Sequence, residues 1–201
     1  SLGSGSFNQL LIGDRQFHES IRKLSLYFTE DREKLDQSYF SDPKLRRAYL
    51  AYYLPLNFNK MERLLNAHPN AVSSLAGHSI WRWLDFGCGP ATGCLAALKF
   101  LHEQWSKPLD IRSIDKPKKI EITLIDEQPD ALFAADILVT EMARRFEVEV
   151  DIRSFSTLNQ IDIDAVSPHL IFVTNVLNEI TNEDSSGDDE DHPILKLWTK
   201  C

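Results

Sequence analysis

The stretch from Leu84 to Gly93 constrains the fold of this chain more than any other. An apolar run leads into Asp85 and then into a turn with glycines at positions 87, 89 and 93. The residues that follow, 94–101, have a helical pattern. A strand, a glycine-rich turn and a helix in this order open a nucleotide-binding βαβ unit. A side chain at Gly87 or Gly89 would hold a ligand away from the backbone N–H groups, and both positions suit a positive φ.

From residue 80 onward, strand patterns alternate with helix patterns, which indicates a parallel sheet. The predicted strands are 80–86, 120–125, 148–154 and 169–174. One helix is predicted over 91–105, and a second begins at Pro129. The buried stripe predicted for this second helix is Leu132, Ala135, Leu138, Met142 and Phe146. We therefore predict an α/β fold with a Rossmann-like sheet over residues 80–201, incomplete after its fourth strand.

Residues 7–79 are predicted to form a helical region, after a flexible leader or expression remnant at 1–6. Apolar residues at positions 17, 21, 24 and 28 have the spacing of an amphipathic helix. Asp42 and Pro43 form a helix start signal, and Pro55 should break or bend the helix that follows. Residues 71–79 are expected to be a linker. After strand four we expect an acidic loop at 182–191 and a short apolar helix at 193–199.

Composition excludes some functional classes and leaves others open. No apolar run approaches the length of a membrane span, and the first residues lack a signal-peptide pattern. The three cysteines have no metal-ligand spacing, so we expect no metal site and a reducing compartment. The net charge is −8, but six acidic residues fall within 183–191, so charge does not decide the partner. A cytoplasmic protein is expected, or a mitochondrial matrix protein if the source is eukaryotic.

The glycine spacing favours S-adenosylmethionine over a dinucleotide. The dinucleotide pattern GxGxxG needs a glycine where this chain has Thr92. Asp85 precedes the first glycine by two residues, and a carboxylate there suits a ligand that carries an ammonium group better than a pyrophosphate. The candidate cofactor-binding residues of the loop are Asp85, Phe86, Gly87, Cys88 and Gly89. A turn without a ligand and a nicotinamide site remain as alternatives.

Two further candidates follow the next strands. Asp126 ends the second strand, beside the glycine turn in this topology, where a carboxylate can accept hydrogen bonds from both ribose hydroxyls. It could instead cap the helix that begins at Pro129, and Glu127 is a weaker competitor for the ribose. Phe155, after the third strand, is a candidate to stack on the adenine or to pack in the core.

Asn175 follows the fourth strand and is the weak candidate for a catalytic group. Ligands of open α/β sheets bind beyond the carboxyl ends of the strands, so Asn175 should face the pocket. Amino-directed nucleic-acid methyltransferases often have Asn/Asp-Pro-Pro-aromatic at this place, and this chain has only the asparagine. Because methyl transfer from a sulfonium depends mainly on positioning and exclusion of water, the missing acid–base pair is no objection.

Basic residues cluster in the first half of the chain, at 44–47 and 60–63, with tyrosines at positions 49, 52 and 53 between them. A third basic group lies at 116–119. This arrangement fits a nucleic-acid face or an ordinary solvated helix surface.

Three motifs together resemble one family. They are residues 47–57 (RAYLAYYLPLN), 84–90 (LDFGCGP) and 175–179 (NVLNE). In this order they resemble the methyltransferase-like family associated with the small ribosomal subunit, known from mitochondria and bacteria. The likeness covers residues 40–180 or thereabouts. It implies a class I Rossmann-like fold, S-adenosylmethionine binding, and a role on ribosomal RNA or in assembly of the small subunit.

Two departures from this family stand out. Ala91 occupies a position where glycine is common, and nothing in the chain matches the cysteine cluster of mitochondrial members, which holds a metal or iron–sulfur centre. The main hypothesis is an S-adenosylmethionine-dependent methyltransferase that acts on ribosomal RNA or the small ribosomal subunit. The first alternative is a non-catalytic S-adenosylmethionine-binding assembly factor. A nicotinamide-dependent dehydrogenase is the less favoured alternative. The oligomeric state stays open.

Overall fold

The computed structural model describes residues 14–30, 39–108 and 114–174. The leader at 1–6, Asn175 with its motif at 175–179, and the acidic loop and final helix expected after it lie outside these ranges. The described residues contain helices and a parallel β-sheet, in line with the α/β class expected from the sequence. The chain divides into two compact units, residues 1–57 and 58–201.

The first unit begins with α1 (Arg15–Thr29). Asp14 caps this helix, since its side chain accepts a hydrogen bond from the Phe17 N–H at 3.1 Å. The predicted amphipathic face is present: Phe17 and Leu24 are buried, and Ile21 and Phe28 are partly buried.

The second helical stretch begins where Asp42 and Pro43 predicted it. Helix α2 (Pro43–Ala48) is capped by Asp42, which accepts a hydrogen bond from the Lys44 N–H at 2.8 Å. A π-helical segment follows (Tyr49–Tyr53), and α3 (Leu54–Ala67) continues from it. Pro55 has no N–H to donate to the carbonyl one turn before it. The backbone hydrogen bonds there change from the α-helical pattern, four residues back, to the π-helical pattern, five residues back. The Leu54 N–H accordingly bonds to the Tyr49 carbonyl, five residues back.

The core of the first unit is aromatic. Tyr49 lies at its centre, with ring centroids 5.5–6.1 Å from four neighbours: Phe28, Tyr39, Phe40 and Tyr53. Most of these pairs are edge-to-face or tilted, the arrangements that aromatic quadrupoles favour. The three tyrosines suggested as part of a nucleic-acid face therefore differ in exposure: Tyr49 is buried, Tyr53 is partly buried, and Tyr52 is exposed.

In the second unit, the stretch expected to be a linker is partly helical. A 3₁₀ helix covers Pro69–Leu75, and its Val72 and Leu75 are buried. Pro69 presets the φ of the first turn, and the two buried side chains give the segment an apolar anchor that a free linker would lack. The linker prediction for 71–79 was therefore wrong for residues 71–75.

The sheet of the described residues has four parallel strands in the order β3-β2-β1-β4. The strands are β1 (Ile80–Phe86), β2 (Lys119–Ile125), β3 (Val150–Phe155) and β4 (Leu170–Val173). The bounds of β1 match the sequence prediction. Strand β2 differs from it by one residue at its start, and β3 and β4 differ by one or two residues at both ends. This order, with β1 between β2 and β4, is compatible with a Rossmann-like sheet.

Helices α4 (Thr92–Trp105) and α5 (Pro129–Arg145) follow β1 and β2. The most deeply buried residues of α5 are Ala131, Ala135, Val139 and Ala143. The buried face of α5 is therefore rotated relative to the predicted stripe. Small side chains allow the helix to pack closely, and the larger side chains lie at the flanks of the contact. A 3₁₀ turn (Leu158–Gln160) and the short α6 (Ile163–Val166) lead into β4.

The two faces of the sheet differ. On one face Trp81 packs against Trp105 of α4, with ring centroids 5.8 Å apart, and Asp85 shares that face because strand residues alternate. On the other face Leu84 and Ile125 pack with Leu158 near the carboxyl ends. The amino half of that second face carries charged side chains: Arg82, Lys119, Glu121, Asp151 and Arg153. Among the helices of residues 14–30, 39–108 and 114–174, none is long and apolar enough to cross a membrane.

Candidate functional site

The loop between β1 and α4 turns sharply at three left-handed residues. Gly87 has φ +58°, Gly89 has φ +51° and Ala91 has φ +59°. Glycine adopts this conformation at no steric cost, whereas alanine pays about 1 kcal/mol or more for it. Ala91 is fully buried, so its surroundings hold the strained backbone in place.

The loop is tied to the carboxyl end of β2 by two backbone N–H groups. The Cys88 N–H donates to the Ile125 carbonyl at 3.0 Å, and the Gly89 N–H donates to Asp126 Oδ2 at 2.8 Å. The second bond is charge-assisted when Asp126 is ionised, which makes it the stronger of the two. The prediction that Asp126 lies beside the glycine turn is therefore seen in the structure.

The two other residues at the tip of the loop, Pro90 and Ala91, offer no free backbone N–H. The Ala91 N–H donates to the Cys88 carbonyl at 2.8 Å, and Pro90 has no N–H. Together with the two bonds to β2, this uses every backbone N–H from position 88 to position 91. A pyrophosphate is normally cradled by such N–H groups, so this loop conformation does not offer a phosphate cradle at its tip.

Asp126 is held by three hydrogen bonds at the end of β2. Besides the Gly89 N–H, its side chain accepts the Gln128 N–H at 2.9 Å, and its own N–H donates to the Phe155 carbonyl at 3.2 Å. Gln128, not Asp126, is the N-cap of α5, so the alternative of an ordinary cap is replaced by an Asx-type turn before the helix. Burial raises the pKa of Asp126, while the Gln128 and Gly89 N–H groups lower it.

Asp85 is fully buried on the α4 face of β1. Within the described part of the chain, neither of its carboxyl oxygens has a hydrogen bond of normal geometry. The thiol and N–H of Cys94 approach it and lower its pKa, but burial outweighs them and, with the Asp126 carboxylate nearby, raises the pKa of Asp85 to about 7. Buried polar groups almost always have partners, so a buried carboxyl group without one is a candidate ligand contact.

The two cysteines that flank the loop are not nucleophiles. Cys88 and Cys94 are both buried and free, and the Cys88 thiol donates to the Gly89 carbonyl at 3.3 Å. Burial, followed by the negative charge of Asp85, raises the pKa of both thiols well above the usual range. They therefore stay protonated at neutral pH.

The other predicted site residues have different surroundings. Phe86 packs against the cluster of Leu84, Ile125 and Leu158, which gives its side chain a packing role. Glu127 is exposed, whereas Asp126 beside it is mostly enclosed. Phe155 is the last residue of β3 and is partly buried. Asp126 is thus better placed than Glu127 for a ligand at the loop, and Phe155 lies next to Asp126.

The structure gives a role to two residues that were not among the predicted site residues. Cys94, in the first turn of α4, acts on Asp85 through both its thiol and its backbone N–H. Gly93 lies against Phe172 of β4, and a Cβ at Gly93 would be 2.9 Å from Phe172 Cγ. The only sequence signal for either was their place in the first turn of the helix after a glycine loop, where close packing and free N–H groups are expected.

Asn175 lies outside the described residues, so its predicted place in the pocket stays a prediction. Among residues 14–30, 39–108 and 114–174, no group of three or more histidine, cysteine, aspartate and glutamate side chains is arranged to hold a metal ion.

The candidate site therefore consists of the left-handed loop, the buried carboxyl group of Asp85 in β1, and the Asp126 carboxylate beside the loop. Comparison of the chain with models of protein families, with functionally characterised proteins and with solved structures finds no significant match.

Proposed function

We propose that the sheet and the loop after β1 bind S-adenosylmethionine, and that the protein is an S-adenosylmethionine-dependent methyltransferase. The observation that carries the proposal is Asp85, a fully buried carboxyl whose two oxygens have no hydrogen-bond partner among the described residues. A ligand ammonium group that reached it would supply both a charge and hydrogen-bond donors.

The state of the loop amides supports this ligand over a dinucleotide. All backbone N–H groups at 88, 89 and 91 are engaged within the protein, and Pro90 has none. A nicotinamide dinucleotide would have to displace these bonds to place its pyrophosphate, whereas a cationic amino-acid moiety needs acceptors, which Asp85 offers.

Asp126 has the right properties to bind the ribose. Each of its carboxylate oxygens already accepts one backbone N–H, at 2.8 and 2.9 Å, and keeps a further lone pair. The two bonds fix the orientation of the carboxylate, so it can accept ribose hydroxyls without losing side-chain freedom on binding. Phe155, next to Asp126, is then the candidate to contact the adenine.

When bound, S-adenosylmethionine supplies a methyl group on a good leaving group. The residues of this chain need only bind the cofactor, orient it and exclude water, because displacement from a sulfonium requires no strong acid or base from the protein. The full burial of Asp85 and Cys94 suits the exclusion of water.

The proposed substrate is ribosomal RNA or the small ribosomal subunit. This part rests on the resemblance of residues 47–57, 84–90 and 175–179 to the ribosome-associated methyltransferase-like family, and on the exposed Lys44, Arg47 and Tyr52 of the helical segment at 44–53.

Isothermal calorimetry of the full 201-residue chain tests cofactor binding directly. S-adenosylmethionine and its demethylated product should bind, and NAD should bind more weakly or not at all. Asp85→Asn should weaken binding of S-adenosylmethionine by roughly tenfold or more, since it removes a charge-assisted contact. Asp136→Asn, which removes an exposed carboxylate on α5, is the matched control.

A folded chain that shows no heat with millimolar S-adenosylmethionine would overturn the proposal, and so would tighter binding of NAD. Transfer of labelled methyl to small-subunit ribosomal RNA or to intact small subunits then tests turnover. Cofactor binding without any transfer would support the non-catalytic assembly factor instead.

A further inference from the structure

Every group that acts on the Asp85 carboxyl, within the described part of the chain, is neutral or negative. The thiol of Cys94 lies in the first turn of α4, and Asp126 lies at the end of β2. Cys88, in the loop, is itself influenced by the charge of Asp85. No lysine, arginine or histidine is among these groups.

An ionised carboxylate in this setting is unfavourable. It is fully buried, it has no hydrogen bond of normal geometry, and a second carboxylate lies close to it. Burial without a counter-charge favours the neutral form of an acid, and a nearby like charge adds to that preference. The Asp85 carboxyl therefore keeps a proton in the ligand-free protein at mildly acidic to neutral pH.

A bound cation would favour the ionised form of the Asp85 carboxyl over the neutral form. An ammonium group against the two free oxygens supplies the missing counter-charge and donors, which favours the carboxylate. Resting on the proposed function, we infer that cationic cofactor binding is coupled to the release of one proton, from the Asp85 carboxyl to solvent. The bond that breaks is the carboxyl O–H, and the proton is taken up by water or buffer.

The neighbouring thiols are not the source of this proton. Cys88 and Cys94 are buried, and burial raises the pKa of both far from neutrality. Asp126 differs from Asp85 in its hydrogen bonds, because its two oxygens already accept the Gly89 and Gln128 N–H groups. Burial outweighs these bonds and raises the pKa of Asp126 as well, so the comparison of wild type with Asp85→Asn is what assigns the proton to Asp85.

The coupling has a measurable consequence for affinity. Below the pKa of Asp85, which burial raises to about 7, the site must lose a proton to bind. Affinity for S-adenosylmethionine should therefore fall about tenfold for each pH unit below that value and level off above it. The ligand's own amino group titrates equally in all variants, so comparison between variants isolates the contribution of the protein.

Calorimetry of the full chain with S-adenosylmethionine at pH 6.5, in two buffers of different ionisation enthalpy, measures the protons released. Wild-type protein and Asp136→Asn should release about half a proton to one proton on binding. Asp85→Asn, which has a similar volume but cannot ionise, should release none. Equal release by wild type and Asp85→Asn would overturn the inference.

Infrared spectroscopy of the ligand-free chain gives a second readout. A carbonyl band of a protonated carboxylic acid should be present at pH 6, disappear at pH 9, and be missing from Asp85→Asn at both values. Its absence from the wild-type protein at pH 6 would overturn the inference even if Asp85→Asn does not fold.

The two proposals fail in different ways. Binding of S-adenosylmethionine without a proton release that depends on Asp85 refutes the coupling and leaves the proposed function standing. Failure of a folded chain to bind the cofactor refutes both.

Discussion

Asp126 and Gly89 join two consecutive βα connections of the sheet through one hydrogen bond, from the Gly89 N–H to Asp126 Oδ2 at 2.8 Å. The bond positions the loop after β1 against the end of β2. The shape of the candidate site thus depends on a side chain that is also a candidate ligand of the cofactor.

Asp126→Ala should therefore affect stability as well as binding. It leaves the Gly89 and Gln128 N–H groups without acceptors, which should lower the free energy of unfolding by about 1–3 kcal/mol. Urea unfolding measures this, and calorimetry should show S-adenosylmethionine affinity reduced by roughly tenfold. Glu127→Ala removes an exposed carboxylate and should change stability by less than about 0.5 kcal/mol. Equal losses in the two variants would contradict the geometry described.

Exchanges between glycine and alanine in the loop should differ in cost at positions 89 and 91. Gly89→Ala places a side chain at φ +51° and should cost about 1–2 kcal/mol. Ala91→Gly relieves a strained φ of +59° but gives up a buried methyl and adds backbone freedom to the unfolded chain, so stability should change by less than about 1 kcal/mol. Thermal unfolding of both variants checks this. A strongly destabilised Ala91→Gly would show that the methyl group, not the conformation, matters there.

Gly93 should resist enlargement because α4 and β4 meet there. The Cβ of Gly93→Ala would lie 2.9–3.0 Å from three atoms of Phe172, so the helix or the ring must shift. We expect a loss of about 1–3 kcal/mol in unfolding free energy, measured by chemical denaturation. Phe172→Leu combined with Gly93→Ala should be less destabilising than the sum of the single changes. An additive double-mutant cycle would argue against this contact.

The ligand-free protein should lose stability as pH rises from about 4 to about 7, in part because of Asp85. Its pKa is raised from 3.8 to about 7, so the folded state holds an extra proton between about pH 4 and pH 7. Over that window the free energy of unfolding falls, by at most about 4 kcal/mol in total. Asp85→Asn should have a flatter profile in urea unfolding at pH 4.5 and pH 8. Parallel profiles for the two proteins would refute this assignment.

Much of the fold could be predicted from the sequence because its signals are local. The apolar run of β1, the cap and proline at Asp42 and Pro43, and the strand–helix alternation depend on neighbouring residues only. The stripe of α5 was predicted less well, since Ala131 and Ala143 are buried for their small size against the sheet, which no hydrophobicity pattern reports. The 3₁₀ helix Pro69–Leu75 lacks a period long enough to detect.

Part of the candidate site could likewise be predicted from the sequence, and part could not. The proximity of Asp126 to the loop follows from strand order and could be predicted. The missing partners of the Asp85 carboxyl, and the internal use of the loop amides, depend on three-dimensional packing and have no counterpart in residue spacing.

The charged half of the second sheet face has a consequence for assembly. In the sheet of the described residues β3 is an edge strand, and its Asp151 and Arg153 are both substantially exposed, with Asp151 also 3.8 Å from Lys119. An exposed edge can template the addition of a strand from another molecule, but docking here would desolvate charges of both signs. These side chains therefore protect the open edge of the sheet against edge-to-edge aggregation while the opposite ends of the same strands form the candidate site.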